Sequence, residues 1–131
     1  MGTGQKVGLV LGIVYLAVGI LGFIPALVVP STQPGQGLLL GIFAVNVVHN
    51  VVHIGAGAVL IWASLSATRI ALVGRVLAIV FAVLVVASFV APIAEGVAIN
   101  LPDTLLHLVS AAVTGWVAFV ASSSARRPLP A

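Results

Sequence analysis

The chain has no cysteine and very little charge. Without cysteine there are no disulfides, no thiolate metal ligands and no thiol nucleophile. Only 5% of the 131 residues are charged, with five basic and two acidic side chains. A sequence pI near 10.8 points superficially to nucleic acid, but five scattered cations make no continuous phosphate-binding stripe. A serine hydrolase site is lacking too, because Ser64, Ser66, Ser88, Ser110 and Ser122 to Ser124 show no partnership with both a base and an orienting acid. Gly35-Gln36-Gly37 has no following Lys-Ser and no strand context, so it is a turn and not a phosphate cradle. These absences point away from an enzyme.

What fills the chain is apolar. Hydrophobic residues make up 62% of it, and the mean hydropathy is +1.35, against about half apolar content in a soluble domain. Four apolar stretches, about residues 7–29, 42–63, 73–93 and 104–121, each approach the roughly 20 residues that cross a bilayer core as a helix. They use nearly the whole chain. The expected fold class is therefore all-α: an integral membrane four-helix bundle forming one transmembrane domain over residues 1–131. The first stretch has no small-x-small cleavage site after a short core, so it reads as a retained helix.

Charge position predicts orientation. Lys6, Arg69, Arg75, Arg126 and Arg127 fall at the N-terminus, the middle turn or the tail, whereas Glu95 and Asp103 fall at the other side. Because basic residues in short loops stay cytoplasmic, both termini and the middle turn are expected inside. The Pro30 loop and the turn from Ala94 to Pro102 are expected outside.

The chain also reads as two copies of one hairpin, about residues 7–64 and 73–121. At an offset of 54, Asn46 matches Asn100, His49 matches Asp103, Asn50 matches Thr104, His53 matches His107 and Trp62 matches Trp116. The first helices of the halves match at an offset of 66, with Leu11-Gly-Ile-Val-Tyr15 against Leu77-Ala-Ile-Val-Phe81. Each copy starts on the same side, which makes a parallel repeat and not the inverted repeat of many secondary transporters.

On helical wheels, Asn46, His49, Asn50 and His53 share one face of the second helix, and Asn100, Asp103, Thr104 and His107 share the same face of the fourth. Lipid exposure of either stripe would be costly, so both are expected to turn inward and face each other. His49-x3-His53 and Asp103-x3-His107 could converge four ligands on one zinc or iron ion. His53 and His107 alone could hold a haem, although no cation lies on the outer half to receive its propionates. The remaining readings are a polar zip that fixes the register of the hairpins, an outward-facing proton or small-solute pathway, and an accessory subunit of a membrane complex. On the first helix, Gly4, Gly8, Gly12, Gly19 and Gly22 form a small-residue seam, suited to packing within the chain or to a homo-oligomer or complex partner in the bilayer.

The run Gly41-Ile-Phe-Ala-Val-Asn46-Val-Val-His49-Asn50-Val-Val-His53-Ile-Gly-Ala-Gly57, with Pro102-Asp103-Thr-Leu-Leu-His107 after it, resembles small four-helix membrane proteins abundant in actinobacteria and grouped only as a domain of unknown function. Members of that family often carry proline directly after the first asparagine, where this chain has Val47; the second half keeps Pro102. The resemblance spans essentially the whole chain. It implies a bacterial plasma membrane and the four-helix architecture, and it brings no activity.

Overall fold

The structure is a computed structural model that describes residues 1–90 and 96–125. Glu95, Arg126 and Arg127, on which part of the expected charge asymmetry rests, lie outside the described residues, as does the end of the third expected span. Four helices carry the fold: α1 (Thr3–Leu21), α2 (Val47–Ser64), α3 (Ala67–Val90) and α4 (Leu101–Ala125). By length and composition, all four can cross a membrane. Their outer faces are apolar, as shown by exposed Val10, Ile13, Val51, Ile79, Val83 and Leu108. A soluble protein would have to cover such a surface, whereas a bilayer matches it.

The boundaries correct the expectation at both ends of the first loop. α1 stops at Leu21 instead of running to residue 29. Ile24 is extended, as the residue before a proline prefers, and Pro25 opens a 3-10 turn at Pro25–Leu27. Residues 28–45 then form an antiparallel sheet of β1 (Val28–Pro30), β2 (Gly37–Leu39) and β3 (Phe43–Val45). Val28 pairs with Leu39, and Leu39 with Phe43. The tight turn between β2 and β3 holds Leu40 and Gly41 in the left-handed region, at φ 53 and φ 74. α2 consequently begins at Val47 and not at residue 42, with the side chain of Asn46 accepting from the backbone N–H of His49 at 2.9 Å. The hydropathy of this segment is that of a span, but its β-branched residues and its prolines go into a cap on the bundle. At the other boundaries, α3 starts six residues earlier than expected and α4 is longer at both ends.

The strongest packing joins α1 to α2 and α3 to α4, with α1 also against α4 and α2 against α3. α2 and α4 therefore lie on a diagonal. Their polar stripes both turn inward, and the rings of His49 and His53 come within 6.2 and 6.4 Å of His107 across that diagonal. The glycine seam of α1 is spent inside the chain. A Cβ at Gly4 would sit 3.0 Å from the Val117 carbonyl, at Gly12 2.9 Å from the Ile61 nitrogen, and at Gly19 2.7 Å from the Asn50 carbonyl. Gly8 faces Ile70, and Gly22 lies under the amide of Asn50. These backbones approach so closely that the seam is not free for a second copy, which removes the proposed oligomer contact at this face.

The interior divides along its length. Toward the N-terminal end, Leu60, Ala63, Ile70, Ala71, Val117 and Ala121 form an apolar core. Toward the sheet, the buried residues include His49, Asn50, Asp103, Thr104, His107, Ser110 and Thr114. In a membrane protein this second half must satisfy its own polar groups, since no lipid can.

Candidate metal centre

The polar half begins at two asparagines. The amide of Asn46 donates to the carbonyl of Gly96 at 3.2 Å, and that of Asn100 donates to the carbonyl of Ile42 at 2.8 Å. Each helix start is thus tied to the loop before the other helix. The four residues stand in the same relation as the sequence offset of 54, for Asn46 corresponds to Asn100 and Ile42 to Gly96. Asn100 also accepts from the N–H of Asp103 at 3.2 Å while Asp103 Oδ2 accepts from the N–H of Asn100 at 3.2 Å, closing a reciprocal cap on α4. Pro102 sits in that first turn, where a missing N–H costs nothing.

One position further in, the exchange repeats with its polarity reversed. His49 Nδ1 lies 2.5 Å from the carbonyl of Ala98, and a carbonyl only accepts, so Nδ1 carries the proton. Asp103 Oδ2 accepts from the N–H of Ala44 at 2.9 Å. Residues 49 and 103 correspond, as do residues 44 and 98, yet one backbone partner presents C=O and the other N–H. A donor is needed on α2 and an acceptor on α4. The difference between imidazole and carboxylate at these two matching places has a direct chemical reason.

These bonds correct the polar zip as first conceived. Asn46, His49, Asn100 and Asp103 do not pair with one another across the bundle; each reaches the backbone of the segment before the opposite helix. Thr104 Oγ1 donates back to the carbonyl of Asn100 at 3.1 Å. Asn50 and Asn46 both line a hollow with Phe23, Ile24 and Pro25 beside the sheet.

With Nδ1 protonated, His49 Nε2 presents its lone pair inward. His53 Nε2 lies 2.9 Å from it and must donate in that arrangement. His107 completes a cluster in which one ligand atom from each of the three histidines lies within 4.8 Å of the others. The Nδ1 atoms of His53 and His107 are buried without a hydrogen-bond partner. Two unpaired imidazole nitrogens inside a protein are costly unless something else engages them. Of the four ligands expected from sequence, the structure brings three together, and Asp103 is held away by Ala44 and Asn100.

Aromatic rings floor the site. Tyr15 lies against His53 with centroids 4.9 Å apart, Phe81 stacks on His107 at 5.6 Å, and the two aromatics meet at 5.4 Å. Tyr15 and Phe81 correspond at the offset of 66, so each hairpin supplies one aromatic to its own histidine. The Tyr15 hydroxyl donates to Ser110 Oγ at 2.6 Å, which satisfies the phenol inside the bundle. Buried Ala44 and Ala98 lie on the opposite side. The haem reading does not fit this packing: the His53 and His107 rings are 6.4 Å apart, but His49, Tyr15 and Phe81 crowd around them. Rings packed this closely leave no room for a porphyrin between them. Phe81 was visible in the sequence only as a repeat partner, while Ala44 and Ala98 act through backbone atoms and left no side-chain signal.

No curated protein and no solved structure matches the chain. A family model does, over residues 5–120, which include every residue of the centre, and the chain therefore belongs to the family described as Domain of unknown function (DUF4383).

Proposed function

We propose that this is a small multi-pass protein of the bacterial plasma membrane that holds one transition-metal ion, zinc before iron, on His49, His53 and His107. The observation that carries the reading is the convergence of three buried imidazoles, with ligand atoms within 4.8 Å of one another. The second supporting feature is the carbonyl of Ala98 on His49 Nδ1, since a ligating histidine commonly donates its other ring N–H to a carbonyl or carboxylate. Three neutral imidazoles suit zinc, and with Asp103 committed elsewhere the fourth position is left for a small ligand.

The role is structural and non-enzymatic in this reading. An ion bridging α2 and α4 joins the diagonal that direct packing leaves open, and it acts together with the crossed asparagine bonds to organise two duplicated, parallel hairpins. The duplication is supported by contacts that follow the two offsets, Asn46 to Gly96 with Asn100 to Ile42, and Tyr15 to His53 with Phe81 to His107. A proton or solute pathway is less well supported, because Leu60, Ile70 and Val117 fill the bundle beyond Thr114.

The test is elemental analysis of protein purified without a histidine tag, alongside thermal unfolding with and without chelator. We expect about one zinc per chain, lost in His53→Ala and in His107→Ala. A site saturated about 100-fold over its dissociation constant would contribute about 2.7 kcal/mol, removable by chelation. Metal-free protein whose unfolding ignores both chelator and added zinc would overturn the proposal.

A further inference from the structure

A second polar feature lies far from the histidines. Near the end of the bundle that carries the N-terminus, α3 and α4 leave a cleft of about 320 Å3, lined by Arg75, Gly115, Ala118, Phe119, Ser122 and Ser123. It exists because small residues meet there: a Cβ at Gly115 would find its nearest neighbour, Ala78 Cβ, 3.7 Å away. Arg75 Nη2 donates to Ser122 Oγ at 2.7 Å, and Ser122 in turn donates to the carbonyl of Ala118 at 2.7 Å. The serine holds the guanidinium along the cleft and leaves the other N–H groups of its fork without an acceptor among the described residues.

Charge and surroundings restrict what those donors meet. Arg75 is exposed, and so are Leu72, Val76 and Phe119 around it, so this cation stands on a lipid-facing surface. It has no acidic partner among the described residues; Asp103 belongs to the opposite end of α4 and is engaged by Ala44 and Asn100. Arg75 lies six residues beyond Arg69 on α3, about 9 Å further along the helix axis. Hydrocarbon does not tolerate an arginine that ends there unpaired, and a long side chain reaches for the headgroup level instead. Arg69 at the same end already has a neighbour, with its guanidinium 4.7 Å from the ring of Trp62. At the offset of 66, Arg75 corresponds to Leu9, so the first hairpin has no cation at that place.

We infer that this cleft binds the phosphate of an anionic phospholipid. The guanidinium fork takes the phosphodiester oxygens, Ser123, whose proton goes to the Phe119 carbonyl, accepts from a headgroup hydroxyl, and an acyl chain runs along Val76 and Phe119. Among the described residues nothing acidic lines the cleft to receive an ammonium, which disfavours phosphatidylethanolamine and favours a phosphatidylglycerol type of head. The exposed apolar flanks favour a lipid over free phosphate.

Native mass spectrometry of the full chain, released from detergent after exposure to equimolar phosphatidylglycerol and phosphatidylethanolamine, tests the assignment. One phosphatidylglycerol should stay bound per chain, and Arg75→Gln should weaken its retention about fivefold, the effect of one basic residue near an anionic surface. Ser122→Ala should weaken it less, and Arg69→Gln should leave it unchanged. Should Arg75→Gln fail to fold, Arg75→Lys keeps the charge without the fork and should retain the lipid less well than wild type; retention equal to wild type would refute the fork's role. Equal retention of the two lipids by the wild type, or unchanged retention in Arg75→Gln, would refute the site. Inorganic phosphate that displaces the lipid at millimolar concentration and raises the unfolding temperature by itself would reassign the cleft to a free anion.

Discussion

His49 and Asp103 stand in the first turns of α2 and α4, and each makes the half of a hydrogen bond that its backbone partner lacks. That complementarity makes a sharp prediction for single substitutions. His49→Gln keeps an N–H donor for the Ala98 carbonyl, whereas His49→Asp sets a carboxylate against that carbonyl and leaves both acceptors unpaired. We expect unfolding in matched detergent to show His49→Asp less stable than His49→Gln by about 1–3 kcal/mol, the cost of a buried acceptor without a donor. Asp103→Ala should lose a similar amount by freeing the N–H groups of Ala44 and Asn100. Equal stability of the two His49 variants would show that the bond to Ala98 does not matter. The sequence displays the His/Asp divergence plainly, because both residues sit at matching places in an apolar chain. It hides the reason, since the partners are backbone atoms of alanines whose side chains say nothing. The same limit explains Asp103: its spacing from His107 is that of a ligand pair, and only the fold reveals that β3 has claimed it.

At the scale of elements, close approach of α1 and α2 depends on glycine at a few positions. A Cβ at Gly57 would lie 2.5 Å from the Leu16 nitrogen and 2.7 Å from the Gly12 carbonyl, and one at Gly19 2.8 Å from the Ile54 nitrogen. Backbone cannot swing aside as a side chain can, so Gly57→Ala and Gly19→Ala must part the helices, at about 1–3 kcal/mol each or with loss of the folded state. Gly55 supplies the control on the same helix. A Cβ there meets nothing within 4 Å, and Gly55→Ala should be neutral or stabilising by at most about 1 kcal/mol from helix propensity. Comparing the three by thermal unfolding separates packing from a general intolerance of α2 to alanine. The glycine stripe on α1 was legible from its spacing, although spacing alone could not say which surface it met. Helix number was legible as well, because four long apolar runs leave few alternatives. The sheet was not, since residues 22–29 are as apolar as a span and hydropathy does not distinguish an extended cap from another two turns of helix. Pro25 and Asn46 were the signals that mattered, one ending helical backbone and the other starting it.

For the whole molecule, the distribution of charge decides how the bundle sits in the bilayer. Lys6, Arg69 and Arg75 lie at the end of the bundle that holds the N-terminus, while the sheet and the start of α4 have no basic residue. Short basic segments resist translocation, so the sheet end is expected to face outward and the N-terminus and the α2–α3 turn to remain in the cytoplasm. The four-span fold then returns the C-terminus to the same side. A green fluorescent protein fused at the C-terminus should be bright, and alkaline phosphatase inserted between Thr32 and Gln33, in the β1–β2 loop, should be active. The reverse pattern, a dark C-terminal fusion with an inactive phosphatase in that loop, would invert the topology. A graded version tests the cause and not only the outcome: lysines introduced at Thr32, Gln33 and Gln36 add charge to the translocated loop without touching a buried side chain. They should reduce phosphatase activity progressively, and removing Lys6 and Arg69 together should deepen that loss. If activity is indifferent to all five positions, insertion is set by the apolar spans themselves and the basic residues serve local contacts, as Arg69 does on Trp62.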